Sequence, residues 1–484
     1  MAKPIITIDK FHNGIASDNT GGQNGFATIY NCDIYSFPGL ITVPRYFYEP
    51  YVITNFTGDI LCFETYCNSV TSVVYEFAQQ AESDIYMLSG APLTWNLIRN
   101  LTGAIGMRAF GNSLFYVNTF GGNNVVGRLN GDPTVPANWT DNYLALLSAP
   151  MASDRVTPLI SFAGALFVGY GRYVGRLEAD EITWNNAALT LPADGNRVTS
   201  MTAWNDRLVI ATMTWFISTG GNVSREAFIY FWDGVSSTYE KRIELPGDIE
   251  AVYNFNETLY AFVQGSIYMY NGSDFVIYKK FSSTGGTRVN ANTVINDDDF
   301  LLFGTSSIMS PDIGGIYCLG RRSAEFPLAL SILYAVNSTF SVATATRITA
   351  FKRGYASLYV AYVNAGGVGA SLLGFNRKSN ESFFVTDSYE TGVDDGVLVK
   401  GVGIDFNGAL IAGGATVVVK YRLDENVSTT DFTTNWTTLE TFNDTNYKDI
   451  MYGVYKKAKI IQFRFDLVSA AGATPPYIRR IMIY

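Results

Sequence analysis

Val198-Thr199-Ser200-Met201-Thr202-Ala203-Trp204-Asn205-Asp206-Arg207-Leu208-Val209-Ile210-Ala211 decides the architecture of this chain. Apolar and polar residues alternate on both sides of Asn205-Asp206, the period of a strand that turns one face inward. Asn and Asp suit a two-residue hairpin turn. The segment therefore predicts two antiparallel strands joined tightly, with Leu208 opening the second.

The arrangement recurs in both directions along the chain. It is present at Met107 to Val117 around Gly111-Asn112 and at Leu159 to Val168 around Ala163-Gly164. Further copies pass through Phe255-Asn256-Glu257-Thr258-Leu259-Tyr260, Asn296-Asp297-Asp298-Asp299-Phe300-Leu301, Gly354-Tyr355-Ala356-Ser357-Leu358-Tyr359 and Phe406-Asn407-Gly408-Ala409-Leu410-Ile411. A weaker copy is Phe56-Thr57-Gly58-Asp59-Ile60-Leu61. The Leu or Phe after each turn marks a unit: Leu114, Leu166, Leu208, Leu259, Phe300, Leu358 and Leu410. Neighbouring markers lie roughly 40 to 60 residues apart, the length of a four-stranded unit.

A twisted sheet has two faces to cover, and stacking sheets radially covers both while a closed ring leaves few open edges. The reading is all-β: a β-propeller of about seven blades over 51–425. Tandem β-sandwiches are the alternative, because hairpins with a trailing Leu occur there too. Residues 1–50 form an N-terminal strand and turn segment, and 426–484 form a small C-terminal β-sandwich or a closing blade. In that tail, Ala458 to Leu467 and Tyr477 to Tyr484 alternate apolar residues with Arg, Gln or Lys, as half-buried strands do. Pro4 to Ile8 is placed to pair with them and close the circle. Aromatic runs ending in turns, Phe228 to Gly234 and Ile267 to Gly272, read as outer strands of blades.

Composition agrees with a folded β protein. Of 484 residues, 48% are hydrophobic and 16% charged, and Tyr 31, Phe 32 and Gly 45 favour strands and tight turns. A net charge of −9 argues against gripping nucleic acid through a basic patch, although an acidic wall past which DNA slides is compatible with it. The start lacks a long apolar signal core, and no apolar run reaches the roughly 18 residues of a membrane span. A soluble, cytoplasmically made protein is expected. Cys32, Cys62, Cys67 and Cys318 read as buried thiols in strands, with a Cys62–Cys67 bridge across a hairpin the lesser alternative.

Little in the chain suggests catalysis. His12 is the one histidine, so neither a Ser-His-Asp or Cys-His arrangement nor a zinc site is predicted. Gly121-Gly122-Asn123-Asn124 and Asn364-Ala365-Gly366-Gly367 lack the Lys-Ser/Thr ending of a phosphate loop. Asp297-Asp298-Asp299 occupies a turn slot of the repeat, and Asp394-Asp395 is the other dense carboxylate pair. Turn chemistry accounts for them, with catalysis or calcium as lesser readings. The Ser-x-Asp-x-Gly-x-Thr-Trp box typical of sialidases is absent. The Asn-x-Ser/Thr triplets at Asn55, Asn138, Asn271 and Asn435 read as compositional. The expectation is a protein that is not an enzyme and has no catalytic, cofactor or metal residues.

The segment Ile34-Tyr35-Ser36-Phe37-Pro38-Gly39-Leu40-Ile41-Thr42-Val43-Pro44-Arg45, after Asn31-Cys32-Asp33, resembles the opening of tail proteins from tailed bacteriophages. In these a short strand leads through a Ser-x-Pro-Gly turn into a propeller. The closing runs Tyr455 to Phe465 and Ile478 to Ile483 are similar to the final strands of the same group. The tail nozzle of short-tailed phages is the nearest counterpart. The resemblance implies a virion protein whose subunits form a homo-oligomeric ring below the portal and adaptor, near the tail fibres. DNA passes through such a ring without specific binding. Pro38 and Gly39 are structural in this reading, because proline presets φ and glycine accepts the positive φ that follows. The rival reading is a host-recognition propeller that binds or cleaves surface carbohydrate, supported by abundant Tyr and Trp that stack on sugars.

Overall fold

Hairpins of the predicted kind run through the computed structural model. It describes residues 6–8, 26–30, 32, 34, 40–42, 51–53, 56, 58–81, 84–90, 94–147, 156–192, 196–217, 223–280, 287–297, 300–307, 315–320, 329–335, 347–354, 358–364, 367–373, 382–391, 396–406, 415–428, 434–442, 449–469 and 476–484. Pro38, Gly39, Leu410, His12 and Asp394-Asp395 lie outside the described residues.

At Asn205-Asp206 the backbone has φ of 44° and 58°, and at Asn256-Glu257 47° and 63°. Both turns thus have two positive φ angles in succession, which carry the twist of one strand into the next without splaying the pair. Asn and Asp accept that conformation readily, whereas Glu257 adopts it at a local cost of about 1–2 kcal/mol.

Seven antiparallel units of four strands follow one another, and we number them as blades 1 to 7. Blade 1 comprises Ile60–Cys67, Val74–Gln80, Ile85–Ser89 and Thr94–Arg99. The innermost strands of blades 2 to 7 are Met107–Phe110, Leu159–Phe162, Asn196–Trp204, Ile249–Phe255, Val294–Asp297 and Arg347–Arg353. Each inner strand lies against the next, and that of blade 7 lies against that of blade 1, so the ring is closed. The architecture is a β-propeller. Among the described residues, no helix is long and apolar enough to cross a membrane.

Blade 7 takes three strands from Arg347–Arg353, Leu358–Asn364 and Gly367–Leu373, and its fourth is Tyr51–Ile53, which precedes blade 1 in the chain. Segments from before blade 1 and after blade 6 therefore share one sheet, and opening the ring requires breaking that sheet. Trp95, 1% exposed, packs across this seam against Tyr359 of blade 7, ring centroids 5.8 Å apart.

The unit markers fall on the second strand of each blade and fill the gap to the preceding blade. Leu114, Leu166, Leu208 and Leu259 are fully buried in the clusters between blades 1 and 2, 2 and 3, 3 and 4, and 4 and 5. Leu358 does the same between blades 6 and 7. Blade 6 differs from the reading by one residue. Asp297 pairs with Phe300, as Phe110 pairs with Ser113 and Trp204 with Arg207, so the marker position there is Leu301. Leu301 is fully buried between blades 5 and 6, while Phe300 faces the cluster of blades 6 and 7. A strand alternates its faces with period two, so a one-residue slip reverses which blade a side chain meets.

Two other expectations shift. The aromatic runs at 228–234 and 267–272 fall on the third strands of blades 4 and 5, Val223–Trp232 and Ser266–Tyr270, with Lys241–Leu245 and Phe275–Lys280 outside them. The weak copy at 56–61 leads into the inner strand of blade 1, whose own first hairpin turns at 68–73.

A β-sandwich completes the molecule, and it begins earlier than residue 426. One sheet orders Ile6–Ile8, Tyr477–Ile483, Val397–Phe406 and Asp449–Ala458. The other runs Phe26–Tyr30, Ser382–Thr386, Ile460–Ser469, Ala415–Leu423 and Thr437–Phe442. Strands 397–406 and 415–423, on either side of Leu410, belong to opposite sheets, so this copy of the repeat is not a blade hairpin. Ile6–Ile8 pairs with the tail as expected, but inside the sandwich rather than at the seam of the ring. Phe384, Phe463, Phe465, Ile404, Ile478 and Ile481 fill the space between the sheets, with Phe384 and Phe465 stacked at 4.7 Å. The second sheet continues into the propeller, because Phe26–Tyr30 runs parallel to Ala329–Ala335, the outer strand of blade 6.

Candidate functional site

Inner strands of a propeller run side by side in one direction, and their edges enclose a channel. The register between blades 4 and 5 shows this directly. Thr199 Oγ1 donates to the Ile249 carbonyl at 2.8 Å, Val252 N to Ser200 Oγ at 3.1 Å, and Asn254 N to Thr202 Oγ1 at 3.3 Å. Short hydroxyl side chains on one strand thus satisfy the backbone of its neighbour, where a sheet ladder would otherwise do so.

The channel holds a cavity of about 450 Å3 lined from all seven blades. Cys62 and Glu64 come from blade 1, Met107 and Arg108 from blade 2, Ser161 from blade 3, Thr202 from blade 4, Tyr253 and Asn254 from blade 5, Ile295 from blade 6, and Lys352 from blade 7. Arg108, Tyr253, Asn254 and Lys352 each stand one or two residues before the end of their inner strand. The turns that follow inner strands gather at one end of the ring, and these four side chains belong to that end.

Charge in the channel is unevenly compensated. Lys352 Nζ and Glu64 Oε2 pair at 2.5 Å, bridging blades 7 and 1. Arg108 is half-buried, and its side chain makes no hydrogen bond or ion pair with any described residue. Burial pushes the Cys62 thiol up to about 12, and Glu64 adds to the effect while Lys352 and Arg108 act against it. The Tyr253 hydroxyl, which accepts a bond from Asn296 N at 3.0 Å, is also raised by burial, and Arg108 opposes that shift too. The field of Arg108 thus reaches groups on blade 1 and blade 5. Asn292 closes another seam, donating its amide to the carbonyls of Leu61 and of Thr349, the latter at 2.6 Å.

Elsewhere the charged side chains tie blades together. Glu181, in a turn of blade 3, accepts from Asn112 N at 2.6 Å, Ser113 Oγ at 2.7 Å and Arg128 Nη2 at 2.6 Å, all in blade 2. The corresponding turns of neighbouring blades receive similar bonds. Tyr66 of blade 1 accepts from Gly131 N at 3.0 Å, Arg176 of blade 3 donates to the Gly234 carbonyl at 3.0 Å, and Lys241 of blade 4 donates to the Ser273 carbonyl at 2.6 Å. The same turns cap themselves. Asp132, Asp180 and Asp233 accept side-chain bonds from Thr134, Thr183 and Ser236 and backbone bonds beside them, and these bonds hold the three carboxyls below the usual carboxylate range.

The predicted positions divide clearly. The markers Leu114, Leu166, Leu208, Leu259, Phe300 and Leu358 line blade interfaces, and none of them lines the cavity. Asp297, first of the aspartate run, pairs with Arg353 of blade 7, while Asp298 and Asp299 lie outside the described residues. Cys62 and Cys67 are both free thiols, the first buried and the second exposed. Arg108, Glu64 and Lys352 were not singled out from sequence. The signal of Arg108 and Lys352 is a charged residue interrupting the apolar alternation of an inner strand just before its turn, and Glu64 interrupts its strand in the middle.

No protein-family model and no curated protein matches this sequence. Among solved structures, the N-terminal domain of Nup159 aligns at 9% identity with a TM-score of 0.33, covering 68% of this chain and 100% of that one. Two structures of BBS1N in complex with ARL6DN, one soaked with lead and one with mercury, align at 10% and 9% identity with TM-scores of 0.43 and 0.39. They cover 68% and 67% of this chain and 98% and 97% of theirs. The propeller assignment rests on the strand pairing described above.

Proposed function

We propose that this chain is a structural subunit of a tailed-bacteriophage virion, of the tail-nozzle kind, which assembles into a ring around the DNA exit channel. The observation that carries this reading is mechanical. Segments on both sides of the propeller in sequence are built into shared sheets: Ile6–Ile8 and Ile41–Thr42 pair with Tyr477–Ile483, and Tyr51–Ile53 completes blade 7. The sandwich is in turn continuous with blade 6 through one sheet. A subunit that holds a conduit while DNA passes has to resist being pulled open, and pairing between segments far apart in sequence supplies that resistance. Among the described residues of the segments that resemble phage tail proteins, Ile41–Thr42, Tyr455–Phe465 and Ile478–Ile483 lie in the sandwich.

The cavity in the propeller has the volume of a small-molecule site, so DNA would pass between subunits and not through a blade ring. Contacts between subunits would use the sandwich edge Asp449–Ala458. There Tyr455 is 67% exposed beside the exposed Lys456 and Lys457, and Leu398 on the adjoining strand is 47% exposed. Lysines on an open edge strand discourage indiscriminate strand addition. They also suit an acidic neighbour, and a second copy of this chain carries a net charge of −9.

Negative-stain imaging of the purified protein and of virions tests the proposal. Rings are expected, and the double charge reversal Lys456→Glu with Lys457→Glu is expected to disperse them. Single particles at every concentration, together with virions lacking a ring of this chain, would end the nozzle reading. The second reading, recognition of surface carbohydrate, is favoured by one observation, the polar channel cavity with its uncompensated arginine.

A further inference from the structure

We infer that the propeller channel binds a small polar monocarboxylate of the acidic-sugar class, with Arg108 receiving the carboxylate. The inference goes beyond the ring-forming role and does not depend on it. Where it bears on carbohydrate recognition, it names the subsite and the ligand chemistry.

Three observations support it. The cavity of about 450 Å3 falls inside the range of roughly 300–1,000 Å3 usual for small-ligand sites. It sits at a point where all seven blades converge, so most of its wall is carried by the inner strands of the closed ring.

The second observation is charge. Glu64 is neutralised by Lys352 at 2.5 Å, which leaves Arg108 as the cation among the described lining residues without a partner. A guanidinium presents a rigid fork of donors and accepts nothing, and a carboxylate matches that fork with two parallel bonds. Removing Arg108 from bulk water while giving it no anion is costly, and a bound carboxylate supplies the missing charge. One uncompensated positive charge in a cavity that also holds the carboxylate of Glu64 fits a singly charged ligand better than a doubly charged phosphate.

The third observation is the rest of the lining. Ser161, Asn254 and Asn292 are half-buried polar groups around the cavity, and Met107, Ile160 and Ile295 offer apolar surface. A ligand with hydroxyls on one side and C–H groups on the other meets both kinds of wall. That combination describes a sugar ring bearing a carboxylate.

Isothermal titration calorimetry with the full chain tests this, using glucuronate, glucose, acetate and inorganic phosphate as separate probes. Glucuronate is expected to bind more tightly than the other three. Arg108→Gln is expected to weaken glucuronate binding by roughly 10- to 100-fold, the equivalent of one charge-assisted pair worth about 1.5–3 kcal/mol. Arg108→Lys keeps the charge and is expected to retain part of the affinity, and the exposed Arg207→Gln is expected to retain all of it. Thermal melts of each variant show whether the fold is intact, and Arg108→Lys carries the comparison if the glutamine variant does not fold. Equal binding of glucuronate by wild type and Arg108→Gln overturns the inference. So does the absence of any heat with glucuronate, or a response to phosphate or acetate as strong as that to glucuronate. Ring formation in negative stain is read separately, so loss of this site leaves the assembly proposal standing.

Discussion

Replacing Glu181 with alanine removes the acceptor of three bonds that blade 2 sends to blade 3, from Asn112 N, Ser113 Oγ and Arg128 Nη2. Breaking a buried pair by deleting one partner costs about 3–5 kcal/mol, because the other charge is left unpaired. Here the Arg128 side chain is 21% exposed and keeps bonds to Ser113 Oγ at 2.8 Å and Tyr143 OH at 3.1 Å, so its stranding is incomplete. The expected loss for Glu181→Ala is therefore about 2–4 kcal/mol. Glu181 also sits at φ 57°, where an L side chain costs about 1–2 kcal/mol and glycine does not. Glu181→Gly should accordingly destabilise by about 1 kcal/mol less than Glu181→Ala, although it loses the same bonds. Gly111→Ala attacks the contact from the other side, since a Cβ there would stand 2.2 Å from Glu181 Oε1. Its effect should be less than additive with that of Glu181→Ala. Urea unfolding followed by tryptophan fluorescence measures each variant, and a cycle with Arg128→Ala isolates the pair. The coupling is expected at about 1–2 kcal/mol. A coupling under about 0.5 kcal/mol, or Glu181→Gln unfolding at the wild-type urea midpoint, would refute the claim that this carboxylate fastens the two blades.

Two further predictions concern single ionisable groups. With its thiol pushed up to about 12, Cys62 should stay unmodified by a thiol reagent at pH 8 in the native protein while exposed Cys67 reacts; mass mapping of Cys62 labelled before unfolding would contradict its burial. Asp387, beside the sandwich strand Ser382–Thr386, has its carboxyl raised by burial to about 6 from an ordinary value of 3.8. Between those values the folded protein binds more protons than the unfolded chain, so stability falls as pH rises from about 4 to about 6 and is level above that. Asp387→Asn should flatten this part of the profile in urea unfolding measured across that interval, and an unchanged slope would show that another group is responsible.

The hairpins were legible because their signals are local. Asn205-Asp206 and Gly111-Asn112 announce tight turns by residue type, and alternation on either side identifies strands without reference to the rest of the molecule. The same local reading misplaced the marker of blade 6. Three aspartates in a row leave the turn position ambiguous by one residue, and only the pairing of Asp297 with Phe300 shows that Leu301 faces the preceding blade. It also took Phe406 to Ile411 for one more hairpin, although the flanking strands diverge to opposite sheets of the sandwich.

The candidate site was less legible still. Arg108 is separated from Tyr253 by 145 residues and from Lys352 by 244, by subtraction of their sequence numbers, and their juxtaposition exists only because seven inner strands share one channel. By itself, the sequence determined that this protein is built of short antiparallel strands joined by tight turns and repeated along the chain, because turn propensity and period-two alternation act within a few residues. The tertiary structure alone decided where the ring closes, where the sandwich begins and which charges meet in the channel. Those outcomes depend on pairing between distant segments such as Tyr51–Ile53 with Gly367–Leu373, and a hydrogen-bonded strand edge carries no mark in its own residues of the partner it will take.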